Sequence, residues 1–211
     1  GREGDVDFCD VGLPEVWSPE PTNDAGSITV TADGDPVTWV DFDPAQGQVI
    51  VWSRYSLHVI AGPETPNRPQ LWAVRTVGDY GTPNGFTVQR TSGAWYWLAD
   101  TGERRGIAVW AGGSIRIVYD EIADLIDDID WSGRMASAVD PKGRYVLRVT
   151  SRTNGEPFCI VFDPTSGAWT SWHDLDITAY GTFRFGGQEV PLLGMASGQV
   201  EQFAGATVNN V

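Results

Sequence analysis

The chain has 211 residues, enough to bury roughly 70% of the surface its unfolded form exposes. Its 28 acidic side chains against 14 basic ones give a formal charge of −14, which argues against a protein that grips nucleic-acid phosphates or anionic membranes. Ten Trp, six Tyr and eight Phe beside 25 Gly and 13 Pro suit half-buried strands joined by tight turns and suit long helices badly, so an all-β protein is the expectation.

In chain order, Gly1 to Asp7 has no apolar stretch of the kind a signal peptide needs. No segment approaches the roughly 18 apolar residues of a membrane span, and the chain reads as soluble and without an address. It lacks an initiating Met and begins almost inside a strand, as a piece of something longer would. Val6 to Cys9 reads as a short strand, Gly12 to Pro21 as a Pro-punctuated connection presenting Trp17, and Ser27 to Ala32 as a second strand. Asp33-Gly34-Asp35-Pro36 makes a turn, and these residues form N-terminal strands over 1–35 that complete no unit alone. Cys9 and Cys159 sit in apolar strand-like contexts far apart in sequence and read as buried thiols rather than nucleophiles.

From Val37 the pattern becomes regular. Strands at Val37 to Asp43, Val49 to Ser53, Leu57 to Ala61 and Leu71 to Val77, with a Pro-rich loop from Gly62 to Pro69, make a first set of four over about 36–78. Phe86 to Arg90, Ala94 to Ala99, Ile107 to Trp110 and Ser114 to Tyr119 make a second over about 85–119. Met135 to Val139, Tyr145 to Thr150, Phe158 to Phe162 and Ala168 to Trp172 make a third over about 135–173. Ile177 to Phe185, Val190 to Met195 and Gln199 to Phe203 begin a fourth over about 177–203.

The first-turn glycines Gly47, Gly93, Gly143 and Gly187 are spaced by 46, 50 and 44 residues, the repeat length of four-stranded propeller blades. A β-sandwich also gives many short strands, but has no reason to return one turn chemistry at that period. The fold class expected is therefore an all-β β-propeller of four-stranded antiparallel blades, about four in this chain, either the whole propeller or part of a larger one. The last set is one strand short, so Ile28 to Ala32 is expected to complete the last blade and remove an exposed edge. Asp163-Pro-Thr-Ser-Gly167 reads as a hairpin turn, with Asp163 accepting local N–H bonds and Gly167 left-handed; the Asp-Pro opening recurs at Asp43 and Asp140.

One segment departs from the strands. Asp120 to Trp131 places Ile122, Leu125, Ile126 and Ile129 at helical spacing with carboxylates opposite, and reads as a short amphipathic helix with Asp120 and Glu121 at its N-terminus. Its carboxylates invite a calcium reading, but the loop pattern with its obligatory Gly is absent and a solvated helix face accounts for them. His58 and His173 are the only histidines, each in or beside a strand, without an HExxH motif. Gly112-Gly113-Ser114 lacks the glycine a nucleophile elbow needs after its Ser. Asp163 to Trp169 is faintly like the Asp-box turn of propeller sialidases, itself a structural turn, and among Arg54, Arg90, Arg116, Arg148 and Arg184 no spacing singles out a carboxylate clamp. Trp95, Trp97, Trp110, Trp169 and Trp172 could stack on sugars, but Trp95 and Trp97 share a strand face, where packing between blades is the commoner use. No catalytic, metal or cofactor-binding residue is singled out, and no enzyme activity is expected.

Phe8 to Trp17, Val49 to Gly62, Trp95 to Gly102, Phe158 to Trp172 and Leu193 to Val200 together resemble, in the same order along the chain, the β-propeller structural proteins of tailed bacteriophages. The nozzle and head-to-tail DNA-stabilising proteins of short-tailed phages are the type. Members of that group usually extend beyond both ends of the stretch seen here. The resemblance implies a non-enzymatic virion component of the tail or head-to-tail assembly, lining or closing the DNA conduit. It implies other tail or head-to-tail proteins as partners, a homo-oligomeric ring, genomic DNA passing nearby without specific binding, no membrane, and a place in the virion tail. An acidic wall would repel phosphates and let the duplex slide. The alternative is a glycan- or receptor-binding propeller of a tail tip or cell surface, using loops such as Gly62 to Pro69 and Asp79 to Asn84 with Tyr80.

Overall fold

The computed structural model describes residues 4–9, 15, 17, 25–31, 34–62, 72–173 and 175–203, without the side chains of 185, 188 and 189. Nearly every element is a strand, in small antiparallel sheets, and the fold class is the β-propeller expected from the turn period. The four glycines that set the period all have left-handed backbones, with φ of 62°, 77°, 77° and 81° at Gly47, Gly93, Gly143 and Gly187. That conformation costs a residue with a Cβ about 1–2 kcal/mol, which is why the glycine returns with each blade. The chain divides into two compact units, Gly1–Gly85 with Ala99–Arg104, and Phe86–Leu98 with Arg105–Val211.

The first unit holds a hairpin of β1 (Asp5–Phe8) and β2 (Gly26–Thr29) and a sheet of β3 (Val37–Asp43), β4 (Gln48–Ser53), β5 (Leu57–Ala61) and β6 (Ala73–Gly78). Val6 pairs with Ile28, and both pack with Val30 on Val49, Val51 and Ile60 of that sheet. The N-terminal strands were expected to close the last blade. Instead β2 pairs with β1, and the sheet at the C-terminal end has three strands among the described residues. The physical reason lies in the alternation: pairing Val6 with Ile28 gives a two-stranded ribbon one apolar face, and the first sheet offers that face a core. The Pro-rich loop, the connection after Cys9 and Ala32 lie outside the described residues, apart from Gly62, Glu15 and Trp17.

The second unit contains β7 (Gln89–Thr91), β8 (Ala94–Asp100), β9 (Arg105–Trp110) and β10 (Ile115–Val118) in one sheet, whose β8–β9 tip groups with the first unit. A sheet of β11 (Ala136–Val139), β12 (Tyr145–Thr150), β13 (Pro157–Asp163) and β14 (Ala168–His173) follows, then one of β15 (Ile177–Phe185), β16 (Gln188–Met195) and β17 (Val200–Gln202). Alternate residues of β12 and β13 face opposite ways. Tyr145, Leu147, Val149, Phe158, Ile160 and Phe162 join Tyr96, Leu98 and Ile107 in one core, while Val146, Cys159 and Val161 join Ile177, Leu193 and Phe203 in another. A sheet covered on both faces needs near-continuous apolar strands, and that is how Tyr-Val-Leu and Phe-Cys-Ile-Val-Phe read. Each fully buried Leu or Ile of this set contributes about 1.5–3 kcal/mol of burial. Polar ties supplement the packing: Tyr145 Oη donates to Thr87 O at 2.8 Å, Thr91 Oγ1 to Gly143 O at 2.7 Å and Ser137 Oγ to Phe86 O at 2.8 Å.

The segment 120–131 is less helical than its periodicity suggests. A 3-10 turn at Asp120–Ile122 leads into α1 (Ala123–Asp127), and regular helix stops there. Ile122, Ile126 and Ile129 do reach the core with Leu125 beside them. Asp128 ends the helix because it is recruited elsewhere. Its carbonyl accepts from Arg152 N at 2.6 Å, its carboxylate accepts from Thr153, and Ile129 bridges to Ser151. Extending the β12 end of the hairpin supplies these backbone groups with partners that another turn of helix would otherwise have supplied.

Candidate functional site

Within the second unit an open cleft of about 470 Å³ lies between α1 and the turn that joins β12 to β13. Asp124, Asp127, Asp128 and Glu156 line it with Arg152, over a floor that includes Leu125, Pro157, Phe158 and His173. Phe158 and His173 stack with ring centroids 6.4 Å apart. The carboxylates look like ligands only until their bonds are counted. Asp128 Oδ1 accepts from Thr153 N at 3.1 Å and from Thr153 Oγ1, and hydrogen bonds from Ser151 and then Thr153 hold its carboxyl below the usual range. Asp127 accepts from Tyr119 Oη at 3.1 Å, which raises the phenol. Just beyond, Asp130 accepts from Ser132 Oγ at 2.7 Å and Ser132 N at 3.0 Å. Three of the carboxylates of this segment therefore fasten loops. Among the described residues no group of three His, Cys, Asp or Glu side chains is arranged to hold a metal ion.

A second constellation escaped the sequence reading. In the first unit, Ser56 Oγ lies 2.7 Å from His58 Nε2 and donates to Asp35 Oδ2, also at 2.7 Å. Thr76 Oγ1 lies 3.2 Å from His58 Nδ1. Serine, histidine and aspartate thus meet, but in the wrong order for nucleophilic catalysis. The single hydroxyl proton of Ser56 goes to Asp35, so His58 must donate through Nε2 and has no lone pair there with which to take a proton from Ser56. The only sequence signal was Ser56 two residues before His58 on one strand face; the partner Asp35 comes from a turn 21 residues away.

The remaining candidates resolve into structural roles. Asp43, Asp140 and Asp163 each accept an N–H two residues on, from Ala45, Lys142 and Thr165 at 2.8–3.0 Å, while their carbonyls accept from Gly47, Gly143 and Gly167 at 2.8 Å. The sialidase-like phrase at Asp163 is thus a turn builder. No protein-family model matches the chain, and no curated protein matches it.

The arginines serve local partners: Arg54 bonds Tyr55 Oη at 2.9 Å, Arg90 lies over the ring of Trp95, Arg116 is 3.9 Å from Glu121, and Arg148 is tied to Asp176 and Arg134 O. Arg184 lies on β15. Trp95, Trp97 and Trp110 are buried, and the half-buried Trp169 and Trp172 pack against Phe162 and beneath Arg144. Burial leaves Trp95, Trp97 and Trp110 without a face open to a sugar, and Trp169 and Trp172 each hold a ring contact within the protein. Tyr80 packs against Gly78, where a Cβ would meet its ring at 2.8 Å. Ser114 is an exposed turn residue between β9 and β10. Cys159 is buried, donates weakly to Leu175 O at 3.4 Å, and burial pushes its thiol up to about 12. Cys9 is a half-buried free thiol.

Proposed function

We propose that this protein is a non-enzymatic structural part of a tailed-phage virion, in the tail or the head-to-tail assembly beside the DNA conduit. The observation that carries the reading is a coincidence of phrase and fold. Of the phrases by which the sequence resembles the phage propellers, Val49 to Gly62 is the β4–β5 hairpin, Trp95 to Gly102 is β8 with its turn, Phe158 to Trp172 is the β13–β14 hairpin, and Leu193 to Val200 joins β16 to β17. The polar groups in and around these hairpins are spent on turns and loops, as in a scaffold. The formal charge of −14 supports a wall that duplex DNA slides along rather than sticks to.

Peptide mass spectrometry of gradient-purified particles, followed by antibody labelling in electron micrographs, tests the reading. The expected result is a fixed copy number per particle and label at the tail or the tail vertex. Peptides confined to the lysate and missing from particles would refute it.

A further inference from the structure

The sequence holds two Asn-Gly pairs, Asn84-Gly85 and Asn154-Gly155. This pair loses ammonia spontaneously more readily than other asparagine pairs, because glycine offers the side-chain amide a backbone nitrogen that no Cβ shields. As sequence the two sites are alike; the fold separates them. In the first unit Asn84 is half-buried, and its own N–H and carbonyl both bond the hydroxyl of Thr82, which is 0% exposed. Gly85 is buried so closely that a Cβ there would run into Thr38 O and the Trp39 side chain. In the second unit every residue from Arg152 to Glu156 is exposed, Gly155 is left-handed at φ 76°, and nothing lies within 4 Å of where its Cβ would stand.

Three hydrogen bonds hold the second pair in its turn. Asn154 N donates to Ser151 Oγ at 3.2 Å, Gly155 N to Ser151 O at 3.0 Å, and Glu156 N to Asn154 Oδ1 at 2.9 Å. The nucleophile and the amide it attacks are both engaged, so the reaction waits for the turn to open. Opening there moves exposed residues only, whereas opening at Asn84 must lift Gly85 off Trp39, and local opening costs least where few buried contacts oppose it. We propose that Asn154 is a site of spontaneous deamidation, gated by local opening of the β12–β13 turn, and that its isoaspartyl product unfastens α1 from that turn.

Once the turn opens, the Gly155 nitrogen, its proton lost to hydroxide, attacks Asn154 Cγ. The bond from Cγ to the side-chain nitrogen breaks, that nitrogen leaves as ammonia with a proton taken from water, and a succinimide ring remains. Water then opens the ring at either carbonyl, giving aspartate or isoaspartate. Aspartate keeps an oxygen for Glu156 N and adds a negative charge to a cleft already lined by Asp124, Asp127, Asp128 and Glu156. Isoaspartate instead routes the backbone through the side chain and lengthens it by a carbon. That carbon falls inside the loop closed by Gly155 N on Ser151 O and by Ser151 N on Glu156 O at 2.9 Å, and the two bonds cannot both keep their register around it. Thr153 lies in the same loop and holds the Asp128 carboxylate whose recruitment ends α1, so that fastening loosens too.

Incubating the full chain at mildly alkaline pH, folded and in urea, and mapping peptides by a method that separates Asn, Asp and isoaspartate reads both sites at once. In urea Asn84 and Asn154 should convert at similar rates. In the folded chain Asn154 should convert more slowly than in urea, yet about tenfold or more faster than Asn84. Hydrogen exchange of the separated isoaspartyl form should be faster than the parent's over the β12–β13 turn and the end of α1. Asn154→Asp, which carries the charge without the extra carbon, should keep the parent's pattern. Equal rates at Asn84 and Asn154 in the folded chain, or an intact Asn154 there after the unfolded chain has reacted fully, would overturn the gated site. An isoaspartyl form that exchanges like the parent would overturn the unfastening.

Discussion

Tyr145→Phe isolates a single hydrogen bond between neighbouring sheets of the second unit. Tyr145 is 0% exposed, its ring stacks on Tyr96 with centroids 5.4 Å apart, and its hydroxyl donates to Thr87 O at 2.8 Å. Phe keeps the ring, the stacking and the apolar contacts, and removes one oxygen. The net worth of such a bond is about 1 kcal/mol, and leaving a buried carbonyl without this donor adds a further penalty, so about 1–2 kcal/mol should be lost. Tyr145→Ala also removes the ring from the core and should cost about 3–5 kcal/mol. Urea titration followed by tryptophan fluorescence measures both. With a slope of about 2 kcal/mol/M, the Phe variant's midpoint should fall by roughly 0.5–1 M with the slope unchanged. A Phe variant as stable as the parent would refute the claim that this tie contributes to sheet stacking, and one as damaging as Ala would mean that the hydroxyl organises more than Thr87.

Gly167 has φ of 71° and open space where a Cβ would go, so Gly167→Val should cost about 1–2 kcal/mol by backbone strain alone, and Gly167→Asn distinctly less; equal costs in thermal unfolding would undo the turn assignment. Hydrogen bonds hold Asp128, Asp130 and Asp163 below the ordinary 3.8, through Ser151, Ser132 and Thr165 first in each case. Their stabilisation is present above 3.8 and disappears as the pH falls through the lower folded values; Asp128→Asn should flatten that acid limb in equilibrium unfolding. Cys159, with its thiol raised to about 12, should resist iodoacetamide at pH 8 in the native protein and react on unfolding, as peptide mapping would register.

Much of the fold was written in local chemistry. The Asp-Pro turns, the left-handed glycines and the period between them are properties of short stretches, so Asp43, Asp140 and Asp163 could be assigned from their neighbours alone. The doubly apolar reading of β12 and β13 likewise follows from residues in sequence. What needs partners distant in the chain was out of reach. Nothing near Asp128 announces that Thr153 will take its carboxylate and end α1 early, and nothing near Ile28 announces that pairing with Val6 will turn it onto the first sheet.

The constellation around His58 makes the same division most plainly. Sequence by itself determined an all-β chain with blade-length repeats, because turn chemistry and strand alternation act over a few residues and repeat. Tertiary structure alone decided which way the Ser56 proton points, since that depends on Asp35 arriving at 2.7 Å from a separate turn. It also decided that the acidic stretch after Tyr119 fastens loops, because hydrogen bonds are directional and short-ranged and their partners are chosen by the folded backbone.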